Sequence, residues 1–186
     1  MLIRLSDIVL SAIGLFLLWP LLLILLVVGL FDTGAPPYRQ VRVGRCQKRF
    51  KLVKFRTMAV DTPQVGTHLV NPAAVTLFGS FLRRTKLDEL PQLWNVLKGD
   101  MSLVGPRPCL PTQEEVIRER ELRSVFNARP GITGLAQISG VDMSAPALLA
   151  QMDEQMLSTL NFSSYLRLIV MTLLGNGAGD RVNAKL

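Results

Sequence analysis

An uncharged apolar segment near the start of the chain limits the folds that this sequence can adopt. Residues 8–31 form a run of 24 positions without Asp, Glu, Lys or Arg. As one α-helix the run would be about 36 Å long, enough to cross a hydrocarbon core of about 30 Å. A cleaved signal peptide is disfavoured because Asp7 interrupts the basic amino-terminal region and no small-residue cleavage site follows. The sequence therefore predicts a retained membrane helix over residues 1–31.

Pro20 lies near the middle of this segment. Its ring and its missing N–H remove the helical hydrogen bond to the Phe16 carbonyl, which predicts a kink. Two courses are then possible: a re-entrant hairpin with both ends on one membrane face, or a kinked helix that spans the bilayer. The residues by themselves leave both open.

The remainder, residues 32–186, has room for one compact domain. The formal charge is +7, from 21 Lys and Arg against 14 Asp and Glu, while the mean hydropathy is +0.32. A chain that is both basic and apolar suits an anionic membrane surface or anionic substrates. Cys46 and Cys109 are predicted to be reduced thiols. His68 is the single histidine and gives no basis for a Ser-His-Asp triad or a zinc site.

A basic stretch follows the apolar segment: eight Lys or Arg and no acidic residue lie between Arg39 and Arg56. This density predicts a cytoplasmic domain by the positive-inside rule. Apolar and polar residues alternate on both sides of Gly44, which predicts a β-hairpin with cations on one face. Anionic lipid is an alternative ligand for these cations. Nucleic acid is disfavoured because only Phe50 and Phe55 offer stacking surfaces here.

Asp88 and Glu89 are adjacent carboxylates at the predicted start of a helix. Pro91 suits a first turn, and Gly99 suits the carboxyl-terminal end. The predicted buried face of this helix consists of Leu90, Leu93, Trp94 and Leu97. A helix amino terminus keeps a carboxylate ionised and also suits a bound phosphate. An ordinary acidic cap is the alternative explanation. Cations on both sides of the pair favour phosphoryl chemistry, namely Arg83, Arg84, Lys86 and Arg107.

Four motifs occur in order along the chain. They are Lys-Phe-Arg-Thr-Met at 54–58, Asp-Glu-Leu-Pro-Gln-Leu-Trp-Asn-Val at 88–96, Gly-Asp-Met-Ser-Leu-Val-Gly-Pro-Arg-Pro at 99–108 and Arg-Pro-Gly-Ile-Thr-Gly-Leu-Ala-Gln-Ile at 129–138. Together they resemble the bacterial sugar transferases, and more narrowly the small monotopic phosphoglycosyl transferases. The resemblance implies a re-entrant helix broken at Pro20 and a mostly helical α+β catalytic domain with interfacial amphipathic helices. It also implies a location on the cytoplasmic face of the bacterial inner membrane.

The resemblance further implies transfer of a sugar 1-phosphate from a UDP-sugar to polyprenyl phosphate, with release of UMP. Asp88 would be the nucleophile that forms an aspartyl-phosphosugar intermediate, and Glu89 would bind metal beside it or act as a base. Mg²⁺, held by Asp88 and Glu89, is the expected cofactor because both substrates are polyanions. Arg107 and Arg129 are the expected diphosphate ligands. Further candidate substrate contacts are Lys54, Arg56, Thr57, Arg83 and Arg84.

The other segments receive structural predictions. Residues 61–71 predict a loop that closes over substrate, and residues 72–84 predict a helix that delivers the two arginines at its end. Thr112–Glu115 predicts a capping box that opens a charged surface helix reaching to about Phe126, with solvated rather than catalytic glutamates. Residues 144–161 predict an amphipathic helix, and residues 162–174 a helix that is buried or lies at the membrane interface.

Two other functions would use the same features. A non-enzymatic, membrane-anchored scaffold that binds anionic lipid or nucleic acid would explain the apolar segment and the basic stretch, but it leaves Asp88 and Glu89 without a role. A one-step transferase or a phosphohydrolase would use the same side chains without a covalent intermediate.

Overall fold

The computed structural model describes residues 2–62 and 72–175. Within these ranges the chain is mostly helical, with two small sheets. The α-helices are α1 (Leu2–Thr33), α2 (Leu77–Thr85), α3 (Gln92–Lys98), α4 (Glu114–Leu122), α5 (Leu135–Ile138), α6 (Pro146–Thr159) and α7 (Phe162–Leu173). The strands are β1 (Pro37–Val43), β2 (Arg49–Phe55), β3 (Ser102–Val104) and β4 (Gly131–Thr133). The predicted mostly helical α+β class is confirmed, and the predicted loop over 61–71 lies outside the described residues except for its first two positions.

Helix α1 is long and apolar enough to cross a membrane, and it continues through Pro20. The middle of the helix makes few contacts with the rest of the protein, since Phe16 is 76% exposed and Trp19 is 59% exposed. Apolar surface of this extent suits lipid better than water. The predicted apolar helix is therefore confirmed, whereas the kink and the re-entrant course remain predictions.

The amino-terminal turns of α1 are bound to the rest of the molecule by polar contacts. Asp7 is buried, and its Oδ1 accepts hydrogen bonds from Ser102 Oγ, the Leu103 N–H and the Tyr165 hydroxyl, each at 2.9 Å. Arg4 lies one turn earlier and donates to carbonyls at the end of α3, 2.8 Å to Val96 and 3.1 Å to Leu97. Because a carboxylate that accepts three hydrogen bonds is expensive to withdraw into lipid, this end of α1 is fixed to the globular part.

The carboxyl-terminal turns of α1 also contact the globular part. Leu25 is buried in an apolar cluster with Phe55 of β2 and Leu82 of α2. Asp32 accepts a hydrogen bond of 2.8 Å from the Thr76 hydroxyl, at the start of α2. Both ends of α1 therefore rest on the globular part, and the exposed stretch lies between them.

Strands β1 and β2 form the predicted antiparallel hairpin, with Pro37 opposite Phe55 and Val43 opposite Arg49. The inner face of β2 packs Phe50 and Leu52 against Val96 of α3. Alternation with a period of two predicted the pairing correctly. The predicted single face of cations is wrong, because Arg49 and Lys51 lie on one face of β2 and Lys54 lies on the other, with Phe50 and Leu52.

The helix after Asp88 begins later than predicted. Residues Leu87–Glu89 form a 3-10 turn, and α3 starts only at Gln92. Pro91 explains the delay, because it has no N–H to give an i→i−4 bond and its ring crowds the carbonyl of Leu87. The helix ends at Gly99, as predicted, with φ at +96°.

The predicted buried face of α3 is wrong at Trp94, whereas Leu90, Leu93 and Leu97 are partly buried. Trp94 is 58% exposed, and the fully buried side chains are Gln92, Asn95 and Val96. Asn95 links α3 to β2, since its Oδ1 accepts from the Val53 N–H at 3.0 Å and its Nδ2 donates to the Lys51 carbonyl at 2.8 Å. The prediction assumed water outside the helix, whereas an apolar stripe in a membrane protein can also face lipid.

The predicted helix over 72–84 is two elements, a 3-10 turn at Pro72–Ala74 and then α2, which starts after Thr76. The Thr76 hydroxyl accepts from the Gly79 N–H at 2.8 Å, so it is the amino-terminal cap of α2. Helix α4 lacks the predicted capping box, because Gln113 occupies the cap position and its Oε1 accepts instead from the Leu110 N–H at 2.8 Å. Helices α6 and α7 lie where the amphipathic and apolar helices were predicted.

Strands β3 and β4 pair in parallel, with Ser102 opposite Gly131. The chain following β3 lies directly on Gly131: a Cβ built there would be 2.0 Å from the Gly105 nitrogen. Only glycine permits this approach. Gly105 and Gly131 belong to the two motifs that contain Arg-Pro, at 99–108 and 129–138, and they bring these two backbone segments into contact.

Candidate active site

A cleft open to solvent lies between the hairpin, the Asp88–Glu89 turn and the segment that follows β3. One carboxylate, three cationic side chains and four uncharged residues line it. The lining residues are Arg42, Leu52, Lys54, Glu89, Gln92, Arg107, Pro108 and Gly131. Each of the four sequence motifs contributes to this lining. The first three supply Lys54, Glu89 and Arg107, and the fourth supplies Gly131.

Glu89 and Arg107 form an ion pair inside this cleft. Arg107 Nη2 lies 2.9 Å from Glu89 Oε1, and both side chains are largely shielded from solvent. A hydrogen bond between two charged groups in such a site is stronger than one at an open surface. The pair fixes the position of a guanidinium, whose planar fork suits phosphate oxygens.

Asp88 lies one residue before Glu89 and is only 2% exposed. Helix α2 ends at Thr85, and its cap residue Lys86 takes a left-handed conformation with φ at +58°. The chain then turns through Leu87–Glu89. This turn places Glu89 on the lining of the cleft, next in sequence to the buried Asp88. Burial lowers the pKa of Lys86 from its ordinary value, and the nearby Glu89 opposes that shift.

Lys54 and Arg56 both lie near the ring of Tyr38. Their cationic groups are 5.9 Å and 5.1 Å from the ring centroid, within reach of cation–π attraction. Lys54 also lines the cleft, whereas Arg56 donates through Nε to the Ala35 carbonyl at 2.9 Å. Burial raises the pKa of Tyr38, although Arg42 and Arg56 oppose the shift.

The other predicted substrate contacts lie away from the lining of this cleft. Arg83 is buried and donates through Nε to the Thr57 hydroxyl at 2.8 Å, which joins α2 to the end of the hairpin. Arg84 is exposed. Arg129 donates through Nε to the Gly99 carbonyl at 2.9 Å, at the end of α3. Of the two arginines predicted to bind the diphosphate together, Arg107 alone is on the lining.

Arg42 and Gln92 are lining residues that the sequence reading missed. Arg42 donates to the Pro108 carbonyl at 3.1 Å and to Gln40 Oε1 at 2.7 Å. A signal was available: in the hairpin register Arg42 is opposite Phe50 and Tyr38 is opposite Lys54, so the alternation places Arg42 and Lys54 on one face.

The two carboxylates suit a magnesium ion by their chemistry. Both would supply hard oxygen donors. Glu89 lies beside the cations that would receive substrate phosphates, and Asp88 is the buried residue just before it. In residues 2–62 and 72–175 no group of three or more His, Cys, Asp or Glu side chains is placed to hold a metal. Mg²⁺ typically binds through one or two carboxylates and completes its shell with water and substrate phosphates, so a pair fits it.

Comparisons with known proteins agree with the motifs. A family model described as bacterial sugar transferase matches residues 1–176. The chain is 43% identical over 67% of its length to a UDP-galactose-lipid carrier transferase of Erwinia amylovora, covering 29% of that protein. It is 44% identical over 74% of its length to a UDP-glucose:undecaprenyl-phosphate glucose-1-phosphate transferase of Klebsiella pneumoniae, covering 30% of it. It is 40% identical over 74% of its length to an undecaprenyl-phosphate galactose phosphotransferase of Salmonella typhimurium, covering 32% of it. The chain thus spans about a third of the length of these relatives.

Proposed function

Since the chain belongs to the bacterial sugar transferase family, we propose that it transfers a sugar 1-phosphate from a UDP-sugar to undecaprenyl phosphate and releases UMP. The names of the relatives supply the two substrate classes. The observation that best supports the proposal is the cleft in which Glu89 pairs with Arg107 beside Lys54 and Arg42. Three cations around a carboxylate suit a diphosphate that must be held while one of its bonds is broken.

In the proposed mechanism Asp88 is the nucleophile. Its carboxylate oxygen attacks the sugar-linked phosphorus of the donor, an Asp88–phosphorus bond forms, and the bond from that phosphorus to the bridging oxygen breaks, so that UMP leaves with the electron pair. An oxygen of undecaprenyl phosphate then attacks the same phosphorus, and the bond to Asp88 breaks. The products are the lipid diphosphosugar and the free carboxylate, ready for the next donor.

Arg107, Lys54 and Arg42 would hold the phosphate oxygens and offset the charge that moves to the leaving UMP. Glu89 keeps Arg107 in position and would orient the incoming phosphate. Asp88 and Glu89 would hold Mg²⁺, which when bound would neutralise phosphate charge. Contacts from Arg129, Arg56, Thr57, Arg83 and Arg84 to substrate remain predictions.

For the membrane we propose the re-entrant course with Pro20 at its turn, an anchor over residues 1–31 and a catalytic domain over residues 32–186 on the cytoplasmic face of the inner membrane. The contacts at both ends of α1 support this course. Asp7 is bound to β3 and α7, and Asp32 is bound to the start of α2. A helix that crossed the bilayer would have to leave one of these polar groups on the far side, away from its partners.

The experiment uses the full chain in nanodiscs that contain undecaprenyl phosphate, with UDP-glucose and UDP-galactose as donors. We expect continued UMP release over many turnovers to need donor, acceptor and Mg²⁺ and to stop with EDTA, whereas donor alone should release no more than one UMP per chain. Donor alone should give a chain whose mass is increased by one sugar phosphate. Asp88→Asn should remove the adduct and lower turnover by more than about 1,000-fold, because the nucleophile is gone.

Asp100→Asn is the matched control, since Asp100 pairs with Lys98 at the other end of α3 and should leave the adduct in place. Wild-type turnover by purified Asp88→Asn would contradict the covalent mechanism. Turnover without any adduct would favour a one-step transfer. The scaffold alternative is not favoured by the relatives, and it predicts no UMP release from any donor.

A further inference from the structure

A fully buried ion pair joins helices α4 and α6 behind the candidate active site. Arg120 is 2% exposed and Asp153 is 0% exposed. Arg120 donates to Asp153 Oδ2 twice, through Nε at 2.9 Å and through Nη2 at 2.7 Å. Burial of two charges is costly, and a well-packed apolar pair of similar volume is often as stable or more so. Stability of the fold therefore gives a weak explanation for these residues.

The hydrogen bond from the third nitrogen of the Arg120 guanidinium indicates a role at the candidate active site. Its Nη1 donates to the backbone carbonyl of Arg107 at 2.7 Å. Asp153 orients the guanidinium by accepting from its other two nitrogens, which leaves Nη1 directed at this carbonyl. A charged donor to a carbonyl at this distance is stronger than an ordinary backbone hydrogen bond.

Hydrogen bonds also hold the rest of the segment that contains Arg107, because each of four successive backbone carbonyls, from Pro106 to Cys109, accepts one. These donors are the Gly131 N–H to Pro106 at 2.9 Å, Arg120 Nη1 to Arg107 at 2.7 Å, Arg42 Nη1 to Pro108 at 3.1 Å and the Val43 N–H to Cys109 at 2.9 Å. Because Pro108 follows Arg107, the backbone of Arg107 is also restricted to extended conformations. Arg120 therefore acts on a segment whose freedom is already small.

We propose that Arg120, oriented by Asp153, is a positioning residue that sets the direction in which Arg107 enters the cleft. The proposal rests on the proposed function, in which Arg107 binds donor phosphate. Arg120 does not line the cleft and acts through the backbone of Arg107. Of the four donors to this segment, Arg120 is the one that binds the carbonyl of Arg107 itself. Its loss would let the backbone of Arg107 shift within the limits set by the other three, and the guanidinium would move relative to Glu89 and to the donor phosphates.

The first test replaces both charges by apolar side chains, Arg120→Met with Asp153→Leu, so that no unpaired charge stays buried. We expect the KM for the UDP-sugar to rise and kcat/KM to fall by roughly 100-fold, the loss typical of a misplaced binding group. Arg123→Met with Glu154→Leu is the control, because Arg123, just after α4, also pairs with α6, at 3.8 Å from Glu154, but this pair is partly exposed and does not contact Arg107. The change also removes the 2.7 Å pair of Arg123 with Glu119 within α4, which likewise does not contact Arg107. The control should keep wild-type kinetics.

A double-mutant cycle separates positioning from general stability. In a chain that already carries Arg107→Ala, the Arg120/Asp153 change should have little further effect on kcat/KM, because its target side chain is gone. Equal losses in both backgrounds, or wild-type kinetics of the Arg120/Asp153 variant, would overturn the proposal. If that variant does not fold, Arg120→Lys replaces it in the same cycle, since lysine keeps a buried cation but loses the fork that binds Asp153 and the carbonyl together.

A ligand-free cycle keeps this test independent of the proposed function. The free energy of unfolding of the same four chains should show coupling between Arg120/Asp153 and Arg107, since the Arg107–Glu89 pair depends on the orientation of Arg107. Additive losses would overturn the positioning role even in an active enzyme. If wild type released no UMP from either donor, the proposed function would fail, while coupling in unfolding would still support the positioning role.

Discussion

Gly131→Ala tests whether the contact between the two Arg-Pro segments builds the active site. The added Cβ would lie 2.0 Å from the Gly105 nitrogen and 2.6 Å from the Gly105 Cα, whereas ordinary contact begins at 3.4 Å. Both neighbours are backbone atoms and cannot rotate away. The segments would have to separate by about 1.4 Å, the difference between the contact distance and the shorter of these two values.

Separation by that amount would break two hydrogen bonds, from the Gly131 N–H to Pro106 at 2.9 Å and from the Gly105 N–H to Thr133 at 2.8 Å. Each broken bond costs about 1 kcal/mol net, and about 1 to 3 kcal/mol where a buried group is left without a partner. We expect Gly131→Ala to lower the free energy of unfolding by about 3 to 5 kcal/mol. Because Pro106 and Arg107 move with this contact, donor KM should rise as well.

The measurement is unfolding in detergent, followed by donor titration of the folded fraction. Gly140→Ala is the control: Gly140 has φ at +73° and no atom within 4 Å of an added Cβ, so the change should cost only the left-handed strain of about 1 to 2 kcal/mol. If Gly131→Ala were no less stable than Gly140→Ala, the close contact would not be structurally important, and the argument from it would fail.

Two further predictions concern helix α1. The pKa of Tyr165 is raised from 10.0, first by burial and then by the charge of Asp7. The protonated hydroxyl donates to Asp7, so its contribution to stability is complete below pH 10 and decreases as pH rises through the raised pKa. Tyr165→Phe should therefore cost about 1.5 to 3 kcal/mol of unfolding free energy near neutral pH and less above pH 10; an equal cost at both would contradict this. For the re-entrant course, Leu2→Cys in sealed, oriented vesicles should react with an impermeant thiol reagent from the same side as the exposed native Cys46, and reaction from opposite sides would show a spanning helix.

The hairpin was predictable from the sequence because its signal is local. Alternation with a period of two fixes which side chains share a face, and a turn at Gly44 brings the strands together. The same rule places Lys54 and Arg42 on one face of the hairpin once the register is known. The turn that holds Asp88 and Glu89 was also close to its predicted position, although Pro91 makes it a 3-10 turn rather than the start of α3.

The environment of α3 could not be predicted from periodicity. A stripe of Leu and Trp at helical spacing shows that one face avoids water, but it does not distinguish a protein core from lipid. Asn95 instead supplies the buried link to β2, and its polarity gave no sign of burial. In a membrane-bound chain the most apolar face of a helix is thus a poor guide to the protein interior, and a polar residue with two backbone partners can be a better one.

The relation between the two Arg-Pro motifs required the tertiary structure. The family resemblance implied that Arg107 and Arg129 bind one diphosphate. The backbones of the two motifs do meet, with an added Cβ at Gly105 only 2.4 Å from the Arg129 carbonyl. The side chains nevertheless go to different partners: Arg107 pairs with Glu89, while Arg129 donates to Gly99 at the end of α3. The last carbonyls of a helix have no intrahelical donors, so an arginine side chain near that end can donate a hydrogen bond to them. Arg129 therefore holds α3, the helix that follows the two carboxylates, while Arg107 faces the cleft. The sequence could not show which arginine goes where, because β3 and β4 have only three residues each and are too short for a periodic pattern.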